Sequence, residues 1–287
     1  MSMNTPRNFC GLPEEYARYR DARVAVLPVP FDRTASWKRG ARRGPAAVIE
    51  ASRHLELYDL ETGTEAYRQG IHTCRPVRAR RSAAMVDKVY RRVRGLIDDG
   101  KLVVTLGGDH SVSLGSIRAH AEACRELSLL QLDAHADLRE SWEGNPYSHA
   151  SVMARAAGMV SDRVAVGVRS MDASEVEPAG GELMVTAAEA YRSRGWIRRV
   201  AGRLRGPVYV TVDLDVFDPS LLPATGTPEP GGLDWYQVTG LLRAVSESAR
   251  VVGFDLVELM PTGHHASAFT AAKLAYTLLG YIFLQRT

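Results

Sequence analysis

Short apolar segments rich in Val, Leu and Ile recur along the chain and are separated by more polar stretches. Several are apolar at consecutive positions rather than at alternate ones, which is typical of strands buried on both faces of a parallel sheet. We predict strands in six segments: "ARVAVLPV" (22–29), "KLVVTLGG" (101–108), "ELSLLQLD" (126–133), "RVAVGVRS" (163–170), "PVYVTVDLD" (207–215) and "RVVGFDLVEL" (250–259).

Segments with helical periodicity lie between these strands. They are residues 44–56, 82–100, 113–126, 149–158, 187–204 and 234–248, and the apolar segment 266–287, which contains Lys273, is predicted to be a helix docked in the core. The alternation predicts one α/β domain over residues 1–287, with residues 1–21 as an N-terminal arm and helices on both faces of a parallel sheet. Ligands of such sheets bind beyond the carboxyl ends of the strands.

The composition changes this picture little. The chain has 287 residues, of which 45% are hydrophobic and 24% charged, and its net charge is +3, as in an ordinary soluble globular protein. So small a charge gives no reason to expect nucleic acid or a membrane surface as a partner. The Arg-rich segment 75–95 is interpreted as the solvated face of an amphipathic helix rather than as a polyanion site.

The cysteines and the N-terminal residues favour a cytoplasmic protein. Cys10, Cys74 and Cys124 are widely spaced and odd in number, which suits free thiols in a reducing compartment. The first 21 residues have no apolar segment of the kind found in secretory signals. No stretch is expected to be long and apolar enough to span a bilayer.

Ionisable residues collect after three of the predicted strands. They are His110 in "GGDHS", the row Asp133, His135 and Asp137 in "LDAHADL", and the pair Asp213 and Asp215 in "VDLDVFDP". Each motif has an ordinary explanation, a packed turn histidine or a capping or solvated acid. However, alternate residues of a strand share a face, so the rows at 133–137 and 213–215 would each aim their side chains into one small volume.

Without a cation, this collection would be costly. Buried carboxylates that lie close together repel one another and lose their hydration. Two imidazoles and four carboxylates are enough ligands for two divalent ions that share bridging carboxylates. An oxygen-rich set with little nitrogen suits manganese better than zinc. Two such ions would also lower the pKa of a shared water toward neutrality.

Three further features lie near the same sheet edge. Glu258 follows another apolar strand, and a carboxylate outside the metal set could pair with a guanidinium instead of forming an ordinary surface salt bridge. The loop "LLPATGTPEPGGL" (221–233) presents Thr225 and Thr227. His149, in "GNPYSHAS", begins a helix just beyond the predicted metal row, where it either packs or exchanges protons.

The motifs "GGDHS", "DAHAD", "DLDVFDP", "TGTPEPGGL" and "FDLVE", in this order over residues 22–284, resemble the ureohydrolase superfamily of arginases and agmatinases. The resemblance implies a three-layer αβα sandwich around an eight-stranded, mainly parallel sheet. It also implies hydrolysis of a guanidino group to urea and an amine at a centre of two Mn²⁺ per subunit. It further implies a homo-oligomer, either a trimer or a hexamer.

The resemblance carries roles to individual residues. His110, Asp133, Asp137 and Asp213 would hold one manganese, and His135, Asp215 and the bridging Asp133 and Asp213 would hold the other. Thr227 and Glu258 correspond to positions that bind the guanidinium. Asp137 or solvent would protonate the leaving amine, and His149, which would also contact the substrate, would exchange protons with bulk water.

The substrate is expected to be a small cationic guanidino compound, with agmatine favoured. The loop "LRESWEGNPYSH" (138–149) has Glu140, Trp142, Glu143 and Tyr147, acidic and aromatic residues that suit a cationic chain without a carboxylate. N1-aminopropylagmatine, which would yield spermidine, is the main alternative, and arginine and guanidinobutyrate are less favoured. A weak likeness of "GVRSMDASE" (167–175) to arginases places Asp172 and Glu175 at the border of the pocket.

Other classes of protein fit the sequence less well. Deacetylase-type enzymes resemble this architecture but use one zinc with fewer ligands. A non-catalytic metal-binding protein would be expected to lack a ligand or the carboxylate of Glu258, and none is missing. An RNA-binding role would depend on the segment 75–94 alone.

Overall fold

The structure, a computed structural model, describes residues 6–193 and 195–284. Its strands are β1 (Val24–Val29), β2 (Ile71–Thr73), β3 (Leu102–Gly107), β4 (Ser128–Leu132), β5 (Asp162–Val168), β6 (Leu183–Thr186), β7 (Pro207–Asp213) and β8 (Arg250–Val257). Its helices are α1 (Glu14–Ala17), α2 (Gly44–Ser52), α3 (Ser82–Asp98), α4 (Ser113–Ala123), α5 (Val152–Ala156), α6 (Val176–Ala179), α7 (Ala187–Arg192), α8 (Gly195–Arg203), α9 (Trp235–Ser248) and α10 (Ala266–Leu284).

The eight strands form one sheet in the order β2-β1-β3-β8-β7-β4-β5-β6, and every neighbouring pair is parallel. The predicted parallel α/β fold is therefore confirmed, and the sheet is wholly parallel rather than mainly so. Strands β2 and β6 are absent from the six segments predicted from the apolar pattern. Both lie at sheet edges and have only three and four residues, which is too short for a clear pattern.

Helices cover both faces of the sheet and complete three layers. Helices α2, α8, α9 and α10 pack together on one side, and α3, α4 and α5 pack on the other. Apolar side chains of each layer interleave with those of the strands in two buried clusters. The single helix predicted over 187–204 is instead two helices, α7 and α8, because Ser193 has an extended backbone that ends α7.

The residues predicted to form an N-terminal arm pack against the domain. Phe9 and Leu12 are buried. The amide of Phe9 donates to Thr73 Oγ1 (2.9 Å), and that of Cys10 donates to Ser52 Oγ (2.8 Å). The assignment of residues 1–287 to one domain stays a prediction.

Helix α10 is docked in the core, as predicted. Among the described residues it is the one helix long and apolar enough to cross a membrane by length and composition, which the sequence interpretation did not expect. However, 72% of its most apolar stretch is buried within the protein, where it packs on α2 and α9. Its apolar character is thus explained by a core position.

The strand order concentrates four loops at the centre of one edge. Strands β8 and β7, the last along the chain, lie between β3 and β4. Leu106 pairs with Leu256, Val257 with Asp213, and Leu132 with Val212, so these four strands end at nearly the same level. In an open parallel sheet, ligands bind in the crevice beyond the carboxyl ends of such central strands.

Candidate metal centre and substrate pocket

Each central strand delivers ionisable side chains to this crevice. His110 follows β3, Asp133 follows β4, Asp213 ends β7, and Glu258 follows β8. The chain then turns after β4 and β7 and adds the remaining members of the predicted set: His135, Asp137 and Asp215. The structure therefore brings together the six residues predicted from the sequence as metal ligands.

The first group of donors surrounds His110. Its Nδ1 lies 3.1 Å from Asp133 Oδ2, 3.0 Å from Asp137 Oδ2 and 3.4 Å from Asp213 Oδ2. All four side chains are buried. None of these three contacts has the geometry of a hydrogen bond. Among the described residues, Nδ1 therefore has no hydrogen-bond partner. A buried imidazole nitrogen without a hydrogen bond, facing three carboxylate oxygens, fits a metal ion placed between them.

The second group surrounds His135. Its Nδ1 lies 3.0 Å from Asp215 Oδ2 and 3.6 Å from Asp133 Oδ1. Asp133 thus presents one carboxylate oxygen to each histidine and is common to the two groups of donors that could each hold an ion. This is the arrangement expected of a carboxylate that bridges two metal ions.

The electrostatics of the cluster also call for added positive charge. Burial, followed by the charge of Asp133, raises the pKa of Asp137 to about 7. Burial and the charges of Asp215 and Asp133 raise the pKa of Asp213 well above its usual range. For His135, burial lowers the pKa, but Asp215 and Asp133 outweigh it and raise the value to about 12. In the metal-free protein, protons therefore offset the negative charge of these carboxylates. Bound metal ions would offset that charge instead.

A buried hydrogen-bond chain orients His110 from behind. Thr211 Oγ1 donates to Asp255 Oδ1 (2.7 Å), and Tyr209 donates to Asp255 Oδ2 (2.7 Å). His110 Nε2 lies 2.9 Å from Thr211 Oγ1. Because the one hydroxyl proton of Thr211 goes to the carboxylate, its oxygen accepts from His110 Nε2–H. That tautomer leaves a lone pair on Nδ1, which faces the cluster.

Sequence reasoning missed this chain, although a signal was present. Tyr209, Thr211 and Asp213 alternate along β7, so one face of an otherwise apolar strand is polar. The same face leads directly to the predicted ligands. Polar residues at alternate positions before a ligand are therefore a sign of groups that support the ligands.

Two candidate site residues have strained backbones. Asp137 has φ 54° and Glu258 has φ 64°, a region that side chains other than Gly rarely adopt. At Glu258 the conformation is maintained on both sides, because its amide donates to Gly108 O (2.7 Å) and its Oε1 accepts from the amide of His110 (2.7 Å). The other oxygen, Oε2, lies near Gly226 in the loop of residues 221–233. Such strain is concentrated at functional positions.

A cavity of about 220 Å³ opens above the cluster. Its walls include His135 and Asp137 from the cluster, together with Thr227 and His149, both predicted as substrate residues. Ser36 also lines it, from a loop after β1 that sequence reasoning did not assign to the site. Thr225 is buried and does not line this cavity.

The acidic groups at the outer end differ from those predicted. Glu140 forms an ion pair with Arg155 and, like Glu143, does not line the cavity, whereas Trp142 does. Apart from Asp137 of the donor cluster, the carboxylates in the cavity wall belong instead to Asp172 and Glu175. The weak likeness to arginases predicted these positions correctly, and the argument from the loop acids was wrong about Glu140 and Glu143.

Arg139 also lines the cavity, and both carboxylates neutralise it. Its guanidinium lies 3.5 Å from Asp172 Oδ2 and 3.8 Å from Glu175 Oε2, and it stacks 4.9 Å above the ring of Trp142. Both carboxylates have further hydrogen bonds, because Glu175 accepts the amides of Leu138 (2.8 Å) and Asp172 (2.7 Å) and Asp172 Oδ1 accepts from the amide (3.0 Å) and hydroxyl (2.7 Å) of Ser174. Glu175 is 4% exposed and Asp172 is 44% exposed. The partly exposed carboxylate of Asp172 is the group best placed to meet a substrate cation.

This geometry can be compared with known proteins. The Arginase family profile matches residues 22–280. The chain belongs to the arginase family. It is 43% identical over 278 residues to an N(1)-aminopropylagmatine ureohydrolase from Thermus thermophilus, an alignment that covers 95% of this chain and 94% of that one.

Two other arginase-family relatives are similar over most of their length. An agmatinase from Pyrococcus horikoshii is 33% identical over 267 residues, which cover 91% of this chain and 92% of the relative. The crystal structure of the agmatine ureohydrolase of Thermoplasma volcanium superposes with a TM-score of 0.90 at 29% identity, over 99% of this chain and 97% of that one. The protein is accordingly a ureohydrolase of the agmatinase type, a hydrolase that acts on guanidino compounds.

Proposed function

We propose that this ureohydrolase uses two manganese ions to hydrolyse N1-aminopropylagmatine to urea and spermidine. The observation that carries the choice of substrate is the relative with that name, which is 43% identical over nearly the full length of both chains. Agmatine, the shorter compound that the sequence motifs favoured, is the second candidate, supported by the agmatinase that is 33% identical.

The residues that would hold the metal are those of the two donor groups. His110, Asp133, Asp137 and Asp213 would bind one ion, and His135 and Asp215 would bind the other together with Asp133 and Asp213. The oxygen-rich donor set favours manganese. When bound, the ions would activate water for attack on the guanidinium carbon and stabilise the charge that develops.

The side chains around the cluster would orient the substrate and move protons. Glu258 has one oxygen held by the amide of His110, which leaves Oε2 to pair with a guanidinium, and Thr227, unlike Glu258, lines the cavity. Asp137 is buried beside His110 and lines the cavity, so it could give a proton to the leaving amine. His149 is half-buried in the cavity wall, so it could exchange that proton with bulk water.

The charges at the outer end support a cationic tail. Arg139 is paired with Asp172 and Glu175, so it is not a free anchor for the carboxylate of arginine or guanidinobutyrate. The Asp172 side chain remains 44% exposed, which leaves it accessible to an ammonium group. A tail with two ammonium groups has more to gain from this carboxylate than agmatine, which has one.

The experiment is urea release by the manganese-loaded protein from a panel of five compounds: agmatine, N1-aminopropylagmatine, arginine, guanidinobutyrate and guanidinopropionate. We expect kcat/KM to be highest for N1-aminopropylagmatine, and Asp172→Asn to raise KM for it more than for agmatine. Equal or higher kcat/KM for agmatine would make agmatine the substrate. Release of urea from none of the five, with metal bound, would favour a non-catalytic metal-binding protein.

A cytoplasmic location and a trimeric or hexameric assembly stay predictions. Sedimentation of the purified protein would test the second, with a single species of three or six chains expected.

A further inference from the structure

The loop after β1 contributes a residue whose role neither the motifs nor the proposed function explains. Thr34 is buried, with 8% of its surface exposed, between the turn after β3 and the start of the segment that carries His149. Its neighbour Ser36 lines the cavity. Thr34 therefore connects three segments that are far apart in sequence and meet at the site.

The hydrogen bonds of Thr34 have a defined direction. Its amide and its Oγ1 both donate to Asp109 Oδ2, each at 2.9 Å. Since the hydroxyl has one proton and an ionised carboxylate only accepts, the lone pairs of Oγ1 are left for other donors. The amide of His149 donates to this oxygen at 3.0 Å. A carboxylate thus orients a hydroxyl, and the hydroxyl holds the main chain of His149.

The other end of this chain, Asp109, is buried and hydrogen-bonded on both sides. Asp109 is fully buried, its Oδ1 accepts from the hydroxyl of Ser111, and its amide donates to Phe31 O (2.7 Å). It also directly precedes His110, the first residue of the donor cluster. Asp109 and Thr34 therefore connect the main chain of His149 by hydrogen bonds to the segment that carries His110.

His149 needs such support. Its side chain reaches the cavity from a short helical turn, Ser148 provides no side-chain cap, and the ring of Trp142 makes an edge contact with centroids 6.2 Å apart. The next residue is held by the hydrogen bond from the amide of Arg139 to Ala150 O (3.0 Å), and the main chain of His149 itself is held by Thr34.

We propose that Thr34 is a positioning residue, which holds His149 at the distance from the donor cluster that proton transfer requires. The inference deepens the proposed function and rests on it, because it assumes that His149 moves protons in guanidino hydrolysis. Errors of about 1 Å in the placement of a reacting group can cost on the order of 100-fold in rate.

The test compares Thr34→Val with Thr34→Ser in the manganese-loaded full-length protein. Valine keeps the shape and removes the hydroxyl, whereas serine keeps it. We expect Thr34→Val to lower kcat by about tenfold or more, with KM within about threefold and the metal content unchanged. Thr34→Ser should restore kcat to within about threefold of wild type. Thr239→Val, which removes a buried hydroxyl bonded to Trp235 O in α9, is the matched control and should retain kcat.

A second measurement is independent of catalysis. Hydrogen exchange of the amides in residues 145–152, without substrate, should be about tenfold faster at His149 in Thr34→Val and unchanged in Thr34→Ser. If Thr34→Val does not fold, Thr34→Ala replaces it in both measurements.

Several results would overturn the inference. They are a kcat in Thr34→Val equal to wild type, an equal loss in Thr34→Ser, a change in KM alone, or unaltered exchange at His149. If the wild type released no urea from the substrate panel, the proposed function would fail, and the exchange measurement would still decide whether Thr34 holds His149.

Discussion

The chain Asp255–Thr211–His110 leads to a quantitative prediction about metal binding. Thr211→Val keeps the volume of the side chain but removes the hydroxyl that accepts from His110 Nε2 and donates to Asp255. Two fully buried groups then lose a partner, and each unsatisfied group costs about 1–3 kcal/mol. We therefore expect the unfolding free energy of the metal-free protein to fall by about 2–6 kcal/mol.

Metal affinity should fall for a separate reason. Without the acceptor at Nε2, the tautomer with a lone pair on Nδ1 is no longer favoured, and loss of such a partner typically weakens metal binding by about 10- to 100-fold. Calorimetric titration of the metal-free protein with Mn²⁺ measures this loss, and urea denaturation measures the stability.

Two variants serve as controls. Thr211→Ser retains the hydroxyl and should bind Mn²⁺ within about threefold of wild type. Tyr209→Phe removes the other donor to Asp255 but leaves the bond between Thr211 and His110, so it should lower stability more than affinity. A Thr211→Val protein with wild-type Mn²⁺ affinity, or one affected no more than Tyr209→Phe, would refute the reasoning.

Three further predictions address the cluster, the substrate and the core. Asp133→Ala should lose bound manganese, because its two oxygens face both histidines; two equivalents of manganese by elemental analysis of the variant would show that Asp133 bridges nothing. Glu258→Gln should retain metal but lose on the order of 10- to 100-fold in kcat/KM, the value of a hydrogen bond to a charged group; a rate near wild type would remove its guanidinium role. Burial lowers the pKa of His120 from 6.5 to about 4, so the unfolded state alone takes up this proton as the pH falls, and up to about 3 kcal/mol of stability is lost between pH 7 and pH 4. In His120→Phe that loss is absent, and urea denaturation of both metal-free proteins across this range would contradict the assignment if their stability difference stayed constant.

Much of the fold follows from local patterns. Each of the six inner strands has at least five buried residues and is mostly apolar, because burial on both faces favours apolar side chains at successive positions. Strands β2 and β6 lie at the edges, where short length and partial exposure remove that signal. The apolar pattern also did not predict the break between α7 and α8, because it reads as one helix across Ser193.

The candidate ligands were predictable because each one lies at the end of a strand or within five residues of it. Asp133, His135 and Asp137 lie beyond the end of β4, so their closeness comes from the turn that follows the strand, with φ 54° at Asp137, and from their proximity in sequence. What sequence spacing could not supply is the order β3-β8-β7-β4, which brings the turns after these strands to one crevice. The motif resemblance assigned these residues to one site without giving that order, since local physics does not specify how distant strands pair.

The substrate end of the site shows the opposite case. Glu140 and Glu143 lie in the expected loop, yet Glu140 turns to Arg155, and the cavity receives its carboxylates from Asp172 and Glu175, beyond the next strand. Loop side chains are placed by partners distant in sequence, so local charge did not predict them.

Local sequence was thus sufficient for the six inner strands and for the ligand types of the cluster, because apolar runs and ligand types act over a few residues, whereas the reaction class came from the resemblance of five motifs to a known family. The groups that orient this chemistry depend on the packed fold. Thr34 meets His149 across 115 positions, and Thr211 meets His110 across 101. Contacts of this kind leave no local pattern, because they exist only once the sheet has formed and its loops have closed over the crevice.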